Sequence, residues 1–197
     1  MRLWHIIFLV FSSAFFPLRA FAAEDCPNAL AGSGSYTLEQ GVNRITEVFY
    51  DDGPTVKTEF RIGGQLLLAT TLYQGLFELH RLDRGLLIES KPRDDLGKFF
   101  PLRPLQNMPK ILVTSFDLTS SEAVTKNNIR VVRLRYIGAQ EFKIGDCTYP
   151  VLKFQRDENW PSVSNIDYYA PQLKLVIAKE YSDHSIRSYE RIHSAAH

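Results

Sequence analysis

The chain has 197 residues, of which 23 are Lys or Arg and 22 are Asp or Glu, so its formal net charge is +1. This balance argues against a nucleic-acid-binding protein, which needs a basic patch and a high pI, and against a polybasic membrane-surface protein. The length suits one domain, which at this size buries about 70% of the surface of the unfolded chain without needing a metal or a disulfide framework.

The first residues have the three parts of a secretory signal peptide. Arg2 supplies a positive start, residues 6–16 form an apolar run, and Ala20 to Ala23 contain a small-x-small site for signal peptidase. Pro17 and Arg19 end the apolar run short of the roughly 18 residues that a membrane span needs. We therefore expect a cleaved signal peptide over residues 1–23. A single periplasmic β domain would then occupy residues 24–197, with no membrane span.

Two cysteines, Cys26 and Cys147, would enter that oxidising compartment. An even number of cysteines there is typical of a disulfide, and a bond between them would span 147 − 26 = 121 residues. The alternative is a pair of unconnected buried thiols. A redox-active pair is disfavoured because there is no Cys-x-x-Cys motif and no helix start to acidify either thiol.

Beyond residue 35 the apolar residues recur with a period of two. In residues 55–62, Val56, Thr58, Phe60 and Ile62 alternate with charged side chains, which predicts a half-buried antiparallel strand. Similar segments bounded by turn residues predict strands at residues 44–50, 65–73, 76–81, 86–90, 111–124, 129–142, 147–156, 165–170, 173–182 and 185–192.

About eleven strands, and no segment that predicts a helix of ten or more residues, indicate an all-β fold. So many strands must curl or split into layers to protect their edges. We predict a single strongly curved antiparallel sheet, a half-barrel or open barrel, with little helix. Residues 157–163 are expected to form a loop at Trp160-Pro161.

Residues 91–109 interrupt the strand pattern with several prolines, and a single helical turn is expected at residues 94–98. This segment is either a packed crossover, with Phe99 and Phe100 tucked under the edge of the sheet, or a lid over an apolar cavity. Long loops without secondary structure in compact domains are often functional, which keeps the second interpretation open.

Three motifs carry a resemblance to a known family. They are Phe100-Pro101-Leu102, the segment from Gln140 to Val151 around Cys147, and Tyr168-Tyr169-Ala170-Pro171. Together they resemble uncharacterised periplasmic β-proteins of Gram-negative bacteria, which are similar in turn to the half-barrel superfamily of the lipoprotein-localisation factors. The resemblance covers residues 99–192 and implies a strongly curved sheet around an apolar cavity.

The sequence lacks the common catalytic motifs. Gly-x-Ser-x-Gly, His-Glu-x-x-His and a Gly-rich phosphate loop before a helix are absent. Asp183, His184 and Ser185 are adjacent, and adjacent strand residues point to opposite faces, so they cannot form a triad. The acidic pairs Asp51-Asp52 and Asp94-Asp95 lack the spacing of a calcium loop. We expect no catalytic residue, metal or cofactor.

These observations predict a non-enzymatic periplasmic protein with a role in the cell envelope. It would bind an apolar, lipid-like ligand or an envelope protein in the concavity of the sheet. Strand parity places five residues on the inner face as candidate ligand contacts: Phe60, Leu134, Phe154, Tyr169 and Leu175. The alternative is a scaffold with a completely filled core that acts through its outer surface or a free strand edge. An apolar cavity above roughly 300 Å³ would favour the first hypothesis.

Overall fold

The computed structural model describes residues 26–30, 32–100, 102, 111–121, 128–159 and 161–194. The predicted signal peptide lies outside this range. The described strands are β1 (Gly34–Glu39), β2 (Arg44–Tyr50), β3 (Thr55–Ile62), β4 (Gln65–Tyr73), β5 (Phe77–Asp83), β6 (Leu86–Pro92), β7 (Ile111–Ser120), β8 (Ile129–Ile144), β9 (Cys147–Asn159), β10 (Ser162–Ala170), β11 (Leu175–Glu180), β12 (Ile186–Ser188) and β13 (Arg191–Ser194). Two short 3-10 turns, Leu96–Phe99 and Pro171–Leu173, complete the described elements.

All thirteen strands form one antiparallel sheet. Each strand from β1 to β11 pairs with the next one along the chain, and β13 returns to pair with β1. The prediction of an all-β fold with one large antiparallel sheet is confirmed. The described residues form thirteen strands instead of about eleven, because β1 was not predicted and β12 and β13 were predicted as one strand.

The order of the strands requires strong curvature. Thirteen strands laid flat would place the two ends of the sheet about 58 Å apart at roughly 4.8 Å per strand. Yet β12 and β13, at opposite ends, are separated only by Tyr189 and Glu190, and three Cα steps span at most about 11 Å. The sheet therefore curls until its ends almost meet. No ladder pairs β12 with β13 among the described residues, so the sheet is not a closed barrel.

Two apolar clusters fill much of the interior. The first includes Tyr36, Leu38, Val48, Val56, Ile144, Tyr149, Val151, Tyr168, Leu173, Leu175, Ile177 and Ile192. The second includes Leu76, Phe77, Leu96, Leu102, Leu112, Phe116, Val132, Leu134, Leu152, Phe154 and Tyr169. Strand β10 is buried on both faces, since its neighbours Tyr168 and Tyr169 belong to different clusters.

Two local predictions, one of a loop and one of a helical turn, differ from the structure. The prediction of a loop over residues 157–163 is wrong, because β9 continues to Asn159 and β10 begins at Ser162. Ser162 is opposite Asn159 in the ladder between these strands. The helical turn expected at residues 94–98 is displaced to Leu96–Phe99, where the Asp95 side chain accepts a hydrogen bond from the Gly97 amide. Within the described part of the crossover, Phe99 and Phe100 pack on Phe77, with ring centroids 6.1 and 6.3 Å apart.

A disulfide anchors the N-terminal arm. Cys26 and Cys147 are bonded, with their Cα atoms 5.7 Å apart, and the predicted pairing is confirmed. The arm also makes a hydrogen bond from the Ala29 amide to the Gln172 carbonyl at 2.7 Å. The Tyr149 hydroxyl donates to the Pro27 carbonyl at 3.3 Å. None of the helices in the described segments has the length and apolar character needed to cross a membrane.

Candidate functional site

The five residues expected to contact a ligand are mainly packed in the core. Leu134, Phe154 and Tyr169 lie together in the second cluster and are at most 2% exposed. Leu175 belongs to the first cluster and also lines an interior cavity. Phe60 is half-buried on β3, opposite Leu68 and Thr46 in the ladders. The structure therefore brings three of the five together, as members of the apolar packing.

Charged residues lie on the same inner face of these strands, next to the apolar side chains. Along one face of a strand the side chains occur at every second position, so Arg130 shares a face with Leu134, Arg156 with Phe154, and Asp167 with Tyr169. In the ladders, Arg156 is opposite Leu134 of β8 and Asn165 of β10. Glu78 and Arg81 of β5 and Glu158 of β9 pair with or lie beside Arg130, Arg156 and Asp167. We call this set of six charged residues the charge network. Its members are Glu78, Arg81, Arg130, Arg156, Glu158 and Asp167.

Arg156 joins the carboxylates of β9 and β10 in the network. Its Nε donates to Asp167 Oδ2, its Nη1 donates to Glu158 Oε1 at 2.6 Å, and its Nη2 donates to the Leu76 carbonyl at 2.8 Å. On a flat sheet, β9 and β5 would be about 19 Å apart, so the bond to Leu76, which directly precedes β5, crosses the concavity. Asn165 Nδ2 donates to the other oxygen of Asp167 at 2.5 Å.

Arg130 makes a second connection across the concavity. Its Nη1 donates to Glu78 Oε1 at 3.2 Å and its Nη2 to the Glu78 carbonyl at 2.6 Å. Arg81 holds the other oxygen of Glu78, with Nε and Nη2 at 3.0 and 2.8 Å from Oε2. The Arg130 guanidinium also lies 4.8 Å from the centroid of the Phe116 ring, its direct cross-strand partner.

A cavity of about 240 Å³ lies beside the network. All six members of the charge network line it, together with Lys179, Tyr189 and side chains of β2, β3, β4, β10 and β11. Its volume corresponds to about eight water molecules at roughly 30 Å³ each, and it is below the roughly 300 Å³ at which pockets for drug-sized ligands begin. It is a small chamber with a charged lining.

The pKa values of the two inner arginines shift in opposite directions. The pKa of Arg130 is lowered, mainly because burial disfavours its charged form, although Glu158 and Glu78 act against this. Burial also acts to lower the pKa of Arg156, but the adjacent carboxylates Asp167 and Glu158 outweigh it and raise the pKa overall. Arg156 is therefore the firmly charged member, and Arg130 is the cation whose charge is less well compensated.

Among the residues that the structure describes, two buried polar atoms of this region have no hydrogen-bond partner. They are Nε of Arg130 and Oδ1 of Asn165. Leaving a buried donor or acceptor unpaired costs about 1–3 kcal/mol, and more for a charged group. Such atoms are expected where a ligand or an ordered water completes the bonding.

The other candidate residues do not form a reactive site. Ser185 Oγ donates to Asp183 Oδ1 at 2.6 Å, while His184 Nδ1 faces Glu180 Oε1 at 3.5 Å, so the histidine does not link the serine to the aspartate. Asp51 accepts from the Gly53 amide at 2.8 Å in its own turn. Within the part of the chain that the structure describes, no group of three or more His, Cys, Asp or Glu residues could hold a metal ion.

The charge network was not predicted from the sequence, although the sequence carries a signal for it. The parity that placed Phe154 and Tyr169 inward also places Arg156, Glu158, Asn165 and Asp167 inward. Charged residues are almost never fully buried unless they are paired, and the sequence does not show which distant strand supplies the partner. Glu78 and the Leu76 carbonyl become neighbours of these arginines only through the curvature of the sheet.

Comparison with protein-family models, with curated protein sequences and with solved structures finds no match. The resemblance of residues 99–192 to periplasmic half-barrel proteins therefore stays a prediction.

Proposed function

We propose that this protein is a non-enzymatic binding protein of the periplasm that holds a small polar ligand in the concavity of its curved sheet. One observation carries the proposal: all six members of the charge network line one cavity, whereas apolar packing fills much of the rest of the interior. The predicted signal peptide supports the compartment, and so does the disulfide, since disulfides persist in oxidising environments.

Energetics support a role beyond folding for the charge network. Removing an ion from water costs several kcal/mol even after relaxation, and well-packed apolar residues in place of a buried ion pair are often as stable or more stable. Arg130, Arg156 and Asp167 are 3%, 7% and 0% exposed. Stability alone therefore does not explain three charged residues buried to this extent next to a cavity.

The lining favours a polar ligand over the lipid-like ligand expected from the sequence. Three of the apolar residues chosen for lipid contact, Leu134, Phe154 and Tyr169, pack in one cluster, whereas the cavity beside the charge network adjoins arginines and carboxylates. Each carboxylate of the network already accepts a bond from an arginine. A general base must be able to take a proton from a substrate, so this arrangement supports binding without catalysis.

Native mass spectrometry of the protein purified from periplasm tests the proposal. We expect a co-purifying small molecule that is lost in Val163→Phe, because Val163 lines the cavity and is half-buried. Val113→Phe is the matched control, since Val113 is 47% exposed on β7 and does not line the cavity. A bare protein mass in several preparations, or a ligand retained equally by both variants, would contradict binding in this cavity.

A scaffold acting through its outer surface is the second candidate. Leu82 and Leu87 are direct cross-strand partners and are 39% and 40% exposed. Exposed apolar pairs of this kind suit contact with an envelope protein. If this surface carries the function, a Leu82→Glu, Leu87→Glu variant should lose cross-linking to partners in intact cells, whereas Val163→Phe should keep it.

A further inference from the structure

Arg130 lacks one acceptor. It is 3% exposed, it lines the cavity, and both of its Nη atoms are bonded to Glu78. Its Nε has no hydrogen-bond partner within the described part of the chain. Because a guanidinium N–H can only donate, the group that would satisfy it must offer a lone pair, and the cavity that Arg130 lines is the open space beside this side chain.

The charges that line the cavity do not balance. Among the described residues that line it, four side chains are cationic, namely Arg81, Arg130, Arg156 and Lys179, and three are anionic, namely Glu78, Glu158 and Asp167. The difference is 4 − 3 = +1, with all six members of the charge network counted. The three carboxylates are already bonded to arginines, which weakens their repulsion of an incoming anion.

We propose that the cavity binds a small oxyanion with one negative charge, through a carboxylate or a phosphate oxygen that accepts a hydrogen bond from Nε of Arg130. The proposal rests on the proposed function, since it names the ligand class of the same cavity. A charge-assisted bond of this kind is short and about twice as strong as a neutral one. About eight water volumes leave room for an anionic group and a body of a few further atoms.

Isothermal titration calorimetry with sodium acetate and with inorganic phosphate, at constant ionic strength, tests this inference on the disulfide-bonded protein. We expect saturable binding of at least one anion, and affinity weakened roughly tenfold or more in Arg130→Gln. Arg133→Gln is the matched control, because Arg133 loses the same charge from an exposed position of the same strand. Its affinity should equal that of the parent protein.

A milder variant keeps the test decisive if Arg130→Gln does not fold. Lys179 lines the cavity but is exposed, so Lys179→Gln should fold and bind roughly two- to five-fold more weakly. The comparison of acetate with phosphate identifies which oxyanion the cavity accepts.

Two results would overturn the oxyanion site. One is the absence of binding by either anion up to tens of millimolar, and the other is equal affinity in the parent protein, Arg130→Gln and Lys179→Gln. If a neutral molecule co-purifies and is lost in Val163→Phe while neither anion binds, only the oxyanion inference fails and the proposed function stands. If nothing co-purifies and neither anion binds, both fail.

Discussion

Asp167 is the residue on which the charge network most depends. It is fully buried and accepts bonds from Arg156 and Asn165. Asp167→Asn removes the negative charge and leaves Arg156 paired only with Glu158. Breaking a buried pair in this way costs about 3–5 kcal/mol. Urea unfolding followed by circular dichroism should show a loss of this size.

The control for this prediction is Asp117→Asn. Asp117 pairs with Arg93 at 2.6 Å, but both side chains are about half exposed, and exposed ion pairs contribute little to stability. If the two substitutions lower the free energy of unfolding equally, the burial of the charge network has no energetic consequence. Its burial would then no longer support a role in ligand binding.

Gly75 permits a close contact between two turns. Its φ is +69°, and a Cβ atom there would lie 1.7 Å from the Lys174 carbonyl oxygen. Gly75→Ala must therefore move the turn between β4 and β5 away from the turn before β11. We expect a loss of about 2 kcal/mol or more from backbone strain and overpacking, measured as a lower midpoint of urea unfolding.

Gly41→Ala separates the two contributions to that loss. Gly41 has a similar φ of +61° and no atom within 4 Å of its would-be Cβ, so it reports backbone strain alone. A Gly75→Ala variant no less stable than Gly41→Ala would show that the close contact is unimportant. The same contact adjoins the cavity, which Gly75 lines.

The N-terminal arm is the element held by the disulfide. Closing 121 residues is worth about 4–5 kcal/mol in the chain-entropy account. Reduction, or Cys26→Ser with Cys147→Ser, should lower the free energy of unfolding by up to this amount. Hydrogen exchange at the Ala29 amide, which is bonded to Gln172, should also accelerate. Unchanged protection of the Ala29 amide would mean that the other contacts of the N-terminal arm hold it in place without the disulfide.

Short hairpins were the most predictable elements. The bounds of β2, β3 and β4 match the sequence prediction, because clear alternation in β3 is flanked by Asp51-Asp52-Gly53-Pro54 and Gly63-Gly64. The final strand was mispredicted as one element, residues 185–192. The pattern of polar and apolar residues does not show that this segment pairs with β11 up to Ser188 and with β1 from Arg191 onward. Pairing partners between distant segments depend on the curvature of the whole sheet.

At the scale of the whole molecule, buried tyrosines make the fold sensitive to alkali. Burial raises the pKa of Tyr149 to about 12, and it also raises the pKa of Tyr36 and Tyr169. A group whose pKa is higher in the folded state stabilises that state fully below its unfolded pKa, near 10. That contribution is lost as the pH rises through about 12.

We therefore expect the free energy of unfolding to fall as the pH rises above about 10. Ultraviolet absorbance of tyrosinate should show ionisation delayed in the native protein relative to the urea-unfolded chain. Tyr149→Phe is the informative variant, since it removes one such group together with its bond to Pro27. Its stability should depend less on pH in this range, and an identical dependence would refute the assignment.

The pairing of β13 with β1 makes the described domain almost a ring. Tyr36, near the start of β1, is opposite Ser194, the last residue of β13, and opposed Cα atoms in such a ladder are only about 5 Å apart. A few residues could therefore join the end of β13 to the start of β1, and the chain could be opened instead at the Gly63-Gly64 hairpin. Such a circular permutant should keep the sheet order and the cavity, while the Cys26 arm would need a new point of attachment.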